Sequence, residues 1–244
     1  MSLVSMIIAD RMESLIRYYD RWMSLITGGY VSVHHAGDLL EEDLEIEMRL
    51  RGEKIIIRPM VEEDVDKMAA WRPFADPLYS MWNRSSRSSD DYIRFQAQAN
   101  DPSRRWYAIE DPAGRVIGRL SLRRISQRKS SHLGITLGAD YVGQGYGTDA
   151  IRAFLAYYFW ELGFETLYLD VAAPNRRALR CYEKCGFKHV GSRYQGAGSD
   201  KRLTFLKDDV YRDIRRFFKK KKGRNVVLFY DMKIDKEDLE PRTH

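Results

Sequence analysis

From residue 3 to residue 26, the apolar positions Leu3, Met6, Ile7, Leu15, Ile16, Tyr19, Trp22, Met23 and Ile26 form one helical face. Gly28-Gly29 stops the pattern, and an acid-rich stretch follows to about Glu47. Residues 1–48 are read as an extension packing on the main domain or on a second copy, as in a homodimer. Lys54 to Arg58 has strand character. Glu62 to Trp71 then reads as a helix with Val65, Met68 and Ala69 on one side. A second helix is expected from Ser89 to Ala99, capped by a serine and closed before Asp101-Pro102. "RRWYAIED", "RVIGRLSLRRI" and "HLGITLG" are rich in β-branched and aromatic residues. With the Pro112-Ala113-Gly114 turn they read as an antiparallel meander.

The period then changes. Ile151, Phe154, Leu155, Tyr158, Phe159 and Leu162 recur at helical spacing until Gly163-Phe164. "TLYLDV" is a buried strand, and Asn175 caps a helix that ends at Gly186-Phe187. "KHVGSRY" and "NVVLFYDMKI" read as closing strands. Leu206, Val210, Ile214 and Phe217 predict an amphipathic helix between them. The expected fold is α+β, a mixed sheet flanked by helices. The main domain is placed at 49–236 and a tail at 237–244.

Composition narrows the function. A hydrophobic fraction of 44% fits a packed core. The most apolar run, Ala153 to Phe164, contains Glu161 and is too short to span a bilayer, so no membrane association is expected. No basic-then-apolar leader is evident at the start. Cys181 and Cys185, four apart with no second pair, read as neither a zinc site nor a disulfide framework. They suggest a reducing cytoplasm and no metal. The net charge of +6 attracts anions, and much of it lies in Arg215 to Arg224. That run reads as a solvated charge cluster rather than a nucleic-acid surface, with ribosome or nucleic-acid binding kept as a rival.

"YVGQGYGTDAI", Tyr141 to Ile151, holds the main candidate chemistry. Gly143, Gly145 and Gly147 run straight into a helix. A phosphate-binding P-loop would need Gly-Lys-Ser/Thr, and Gly147 is followed by Thr148 and Asp149. A dinucleotide fingerprint would need the third glycine one position later, although Asp170 sits near the required distance. The third reading is a pyrophosphate cradle, in which open N–H groups and the helix dipole meet an acyl-CoA diphosphate. An ordinary glycine-rich turn is the plain alternative.

"GQGYGTDA", "NRRALRCYEKCGF" (Asn175 to Phe187) and the opening "RPMVEEDVDKM" together resemble the GCN5-related N-acetyltransferase (GNAT) superfamily. The resemblance covers roughly residues 53–196 and a closing strand near 226–234. The opening is similar to the subgroup of ribosomal-protein N-terminal and small-amine acetyltransferases. It departs at Val142, where the family loop often carries Gln or Arg, which implies a missing side-chain contact to CoA.

The resemblance implies a twisted mixed sheet split between strands 132–137 and 166–171, with acetyl-CoA in the split. Backbone groups near Ile135, Thr136 and Leu137 would hold the pantetheine. The amides of Gly143, Gln144, Gly145, Tyr146, Gly147 and Thr148 would hold the pyrophosphate. Asn175 would reach the pantetheine arm, or simply cap its helix. Tyr182 would lie near the sulfur as general acid. For the general base, His132 is the first choice on its reference pKa of about 6.5, with Glu110, Asp170 and a water chain as alternatives. The implied activity is direct acetyl transfer from acetyl-CoA to a primary amine, on a small molecule or a protein N-terminus. A non-catalytic acyl-CoA-binding module is the other rival.

Overall fold

The computed structural model describes residues 48–81, 92–93, 95–97, 101–126 and 129–239. The expected N-terminal helix, the ends of the expected 89–99 helix and the last residues of the tail lie outside them. Residues 92, 93 and 95–97 are helical.

The described residues form one nine-stranded sheet. Its strands are β1 (Leu50–Arg51), β2 (Ile56–Pro59), β3 (Arg105–Glu110), β4 (Val116–Ser126), β5 (Ser130–Leu137), β6 (Thr166–Ala172), β7 (Lys188–Gly198), β8 (Phe218–Lys221) and β9 (Arg224–Asp235). They lie in the order β1-β2-β3-β4-β5-β6-β9-β7, with β8 paired to β9. All neighbours are antiparallel except β5 and β6. A parallel pair needs a crossover, which here is helix α3 (Tyr146–Ala156). Helices α1 (Glu63–Ala69) and α2 (Pro77–Ser80) precede it, and α4 (Arg176–Lys184) follows β6.

Strand residues alternate between faces. Leu133 on β5, Leu167, Leu169 and Val171 on β6, and Met232 and Ile234 on β9 join the main core with Phe154, Tyr158 and Tyr182. A smaller core under α1 gathers Met60, Val65, Met68, Ala108 and Val116. Side chains at 132, 134 and 136 on β5, and at 168, 170 and 172 on β6, therefore belong to the sheet face opposite the main core.

The crossover helix departs from the simple reading. Tyr157–Glu161 form a π-helical turn, closed at Gly163 (φ 73°) by Phe164 N–H donating to the Tyr158 carbonyl at 3.3 Å. That return spans six positions, one more than a Schellman motif, as the π-turn adds a residue. The Schellman ending that the Gly-Phe pairs suggested forms at Gly186, where Phe187 N–H donates to the Tyr182 carbonyl at 3.1 Å and Gly186 N–H to the Glu183 carbonyl at 3.0 Å. The expected amphipathic helix over 206–217 is instead two 3₁₀ stretches, Asp200–Lys207 and Asp209–Phe217, separated at extended Asp208. Burial follows a period of three, through Leu203 and Leu206, then Tyr211, Ile214 and Phe217, while Val210 is 75% exposed. Three residues per turn is the 3₁₀ repeat.

Candidate active site

β5 and β6 pair at only three levels, Ser130 with Thr166, Ser131 with Leu167 and His132 with Tyr168. Beyond them the strands part. β5 stays bonded to β4 as far as Leu137, and β6 stays bonded to β9 as far as Ala172. The vertex is clamped from the core side. Ser131 Oγ donates to the Tyr158 hydroxyl at 2.9 Å, and that hydroxyl donates to the Thr166 carbonyl at 2.8 Å. On β4 the register slips between Arg123 and Ser126, with Arg124 left-handed (φ 54°). Such a bulge bends a strand, and it stands level with the vertex.

The opening is a cleft of about 480 Å³. Its lining includes Leu133, Gly134, Ile135 and Leu137 on one arm, Asp170, Val171 and Ala172 on the other, and Tyr182 on α4. At its far end are Val142, Gly143, Gly145, Gly147 and Thr148. Gly145, with φ at 90°, occupies the N-cap of α3, a conformation costly to a residue with Cβ. Among the described residues no acceptor takes the backbone N–H groups of Gly143 through Thr148. These are the orphan donors of a helix start, and the helix dipole adds partial positive charge.

Side chains reinforce that polarity. Arg177, Arg180 and Lys184 on α4 line the cleft. Lys54 places Nζ 3.4 Å from the Gln144 carbonyl. The Asp149 carboxylate brings it there by accepting the N–H groups of Glu53 and Lys54 at 3.0 and 2.7 Å. A cation thus reaches the loop where Val142 offers none. Open amides beside the Lys54 ammonium, at the end of a slot between strands, fit the diphosphate and arm of an acyl-CoA.

Of the residues singled out from the sequence, the structure gathers Ile135, Leu137, Gly143, Gly145, Gly147, Thr148, Asn175 and Tyr182 around the cleft. Thr136 lines a separate hollow with Trp71 and Phe74. Gln144 turns its amide back to the Asp140 carbonyl, and the Tyr146 ring lies edge-on to Tyr141. The Asn175 side-chain oxygen accepts from Ala178 N–H at 3.2 Å, the helix-cap role. Tyr182 is buried, and that burial pushes its phenol well above the ordinary tyrosine range, with Cys181 and Asp170 adding to the effect. It is therefore protonated at neutral pH. Cys181 lines the cleft within 3.3 Å of Thr148 Oγ1, and Cys185 is buried.

His132 stands at the vertex, stacked on Tyr168, and does not line the cleft. Burial, then Arg124 and Arg123, lower its pKa, so it is neutral at pH 7. Glu110 is engaged elsewhere. It accepts from Arg58 at 2.9 and 2.7 Å in a buried cluster whose other carboxylate is Asp64. Lys54, Arg177, Arg180 and Lys184 were missed by the sequence reading. Lys54 is 90 positions from the loop it meets. The α4 cations did carry a signal, since Arg177, Arg180 and Lys184 fall at i, i+3 and i+7 with Cys181.

The sequence matches the Acetyltransferase (GNAT) domain over residues 54–188, more than half of the chain. The chain belongs to the GNAT acetyltransferase family. It is similar to spermidine N(1)-acetyltransferase of Vibrio cholerae, 26% identical over 144 residues, covering 58% of this chain and 79% of that one. Over 54 residues it is 37% identical to aminoglycoside N(6')-acetyltransferase type 1 of Klebsiella pneumoniae, covering 22% of this chain and 27% of that one. In fold it resembles the crystal structure of the Vibrio cholerae spermidine N-acetyltransferase in complex with CoA and spermine, with a TM-score of 0.55 and 20% identity. That match covers 76% of this chain and 98% of that chain. As a GNAT member the protein is an N-acetyltransferase. Among the described residues no helix is long and apolar enough to cross a membrane, and no three metal-ligating side chains cluster.

Proposed function

We propose that the protein transfers the acetyl group of acetyl-CoA to a primary amine by direct attack in a ternary complex. The observation that carries this is the parting of β5 and β6 beyond His132 and Tyr168, aligned with the open amides of Gly143 to Thr148. The diphosphate lies on those amides beside Lys54, and the pantetheine arm runs along Ile135 and Leu137 toward the vertex. At that end a backbone N–H of β5 stabilises the oxyanion, and Tyr182 gives its proton to the leaving thiolate. Direct transfer leaves Cys181 no covalent role, and two free thiols fit a reducing compartment such as the cytoplasm.

The relatives support a small amine as acceptor, with a protein N-terminus as the other class. The basic run does not favour nucleic acid. Lys219 lies over the Tyr194 ring, and Lys220 pairs with Asp200 at 3.2 Å.

Two measurements test the reading. A ligand that binds only the native state at a hundred times its Kd adds about 2.7 kcal/mol, so acetyl-CoA must raise the melting temperature. Thiol release from acetyl-CoA must also depend on added amine. A melting shift without amine-dependent thiol release would make the chain a binding module. No shift at all would remove the cofactor assignment.

A further inference from the structure

Lys54 meets the glycine loop from 90 positions away, and the contacts that bring it there form one connected set. Residues 52–55 make the turn between β1 and β2, closed by Gly52 N–H donating to the Ile55 carbonyl at 2.9 Å. Within that turn the N–H groups of Glu53 and Lys54 both donate to the Asp149 carboxylate, at 3.0 and 2.7 Å. Gly52 allows the close approach, because a methyl there would lie 2.6 Å from both Asp149 carboxylate oxygens. Asp149 is in the first turn of α3, the helix whose start carries the open amides. One carboxylate therefore docks the β1–β2 turn on the helix that closes the far end of the cleft.

The docked turn leaves the Lys54 ammonium uncommitted. The side chain is exposed. Its one polar partner among the described residues is the Gln144 carbonyl, at a long 3.4 Å. An ammonium has three donors, and that carbonyl takes one. A methyl added at Gly145 would lie 3.7 Å from Nζ, so the charge stands beside the left-handed residue that opens α3. Asp149 also has a plain structural role, as an acid in a first helical turn. That role needs neither the turn nor the lysine.

We propose that Asp149 is a positioning residue: through the Gly52–Ile55 turn it holds Lys54 against the glycine loop, and Lys54 makes the cleft select a thioester donor that carries a diphosphate. This rests on the acetyl-transfer reading above. Neither residue makes or breaks a covalent bond. Lys54 adds a charge-assisted hydrogen bond to a diphosphate oxygen, which the amides alone would hold through neutral donors. Asp149 touches no substrate and acts through Lys54. The contact lies at the end of the cleft remote from the vertex, so it bears on donor affinity rather than on the transfer step.

The experiment uses the full chain with Lys54→Ala, Lys54→Arg, Asp149→Asn and the double variant Lys54→Ala/Asp149→Asn. Affinity is read from melting-temperature titrations with CoA and with dephospho-CoA, which lacks the 3′-phosphate and keeps the diphosphate. Lys54→Ala weakens both by about 10- to 100-fold, the span of one hydrogen bond to a charged group. Lys54→Arg recovers most of that loss. Asparagine at 149 accepts one of the two N–H groups and turns an NH₂ toward the other. Asp149→Asn therefore weakens both ligands by about three- to tenfold, within the coupling range of neighbouring residues. The double variant binds no more weakly than Lys54→Ala, since nothing is left to position. Gly52→Ala crowds the carboxylate off the turn without removing it, and repeats this comparison if Asp149→Asn does not fold. In turnover the losses fall on the KM for acetyl-CoA rather than on kcat. Losses that add in the double variant make Asp149 structural only and overturn its role. A Lys54→Ala loss seen with CoA and absent with dephospho-CoA puts the lysine on the 3′-phosphate and overturns the diphosphate assignment. No loss in Lys54→Ala overturns the proposal and leaves acetyl transfer intact. Wild type that binds neither ligand overturns the cofactor reading itself, and the proposal goes with it.

Discussion

Gly147→Ala separates the stability of the glycine loop from its ligand role. Gly147 is in the first turn of α3 and its φ is not in the left-handed region. A methyl added there would lie 3.5 Å from Leu137 Cδ1, 3.6 Å from Cys181 Sγ and 4.0 Å from Ile135 Cδ1, all ordinary contacts. The fold has room for it, and alanine loses less backbone entropy in a helix than glycine. A gain of about 0.5 kcal/mol is expected, roughly half the interior-helix value. For a chain of this size that is a rise of about 1–2 °C in Tm. The three residues it would touch all line the cleft, so the methyl takes the layer next to the open amides. Losing one or two hydrogen bonds to a charged ligand costs about 1.5–3 kcal/mol each. Acetyl-CoA should then bind at least about tenfold more weakly, since each 1.4 kcal/mol is about a factor of ten. Thermal melts with titrated acetyl-CoA read both quantities on one sample. Undiminished affinity in Gly147→Ala would move the diphosphate off this loop. A large fall in apo stability would show the backbone there to be other than described.

Tyr182→Phe should lower kcat by about 100-fold, within the range for a lost general acid, and leave the acetyl-CoA melting shift unchanged; unchanged turnover removes Tyr182 from the mechanism. Tyr158→Phe deletes the hydroxyl bridging Ser131 and Thr166 under the vertex. Leaving buried Ser131 without it should cost about 1–3 kcal/mol in urea denaturation. Asp64→Asn strips the charge facing buried Arg58, where the two side chains meet at 2.6 and 2.9 Å. Breaking a buried pair costs about 3–5 kcal/mol, read from the same denaturation curves. Burial pushes the Asp64 carboxyl up, but Arg58, the Val61 N–H and Lys67 outweigh it and hold the carboxyl below its ordinary value. A depressed pKa stabilises the fold above the unfolded value of about 3.9, and that stability is lost as pH falls through the folded pKa. Wild type should therefore lose stability in acid more steeply below about pH 4 than Asp64→Asn does.

What the sequence determined by itself is local. The helix endings at Gly163 and Gly186, the Asn175 cap and the left-handed Gly145 follow from residue types whose backbone preferences act within a turn or two. The glycine loop and the Asn-to-Tyr stripe were legible for the same reason. Only the tertiary structure decided how far β5 and β6 stay paired, because that depends on a bulge in β4 and a buried tyrosine beneath the vertex. It also drew Glu110 to Arg58, delivered Lys54 to the loop through Asp149, and set 200–217 as 3₁₀ turns with a period of three. Those outcomes depend on partners 52 to 96 positions apart, or on the surface a segment meets. No spacing along the chain encodes them, since burial and register are properties of the packed sheet.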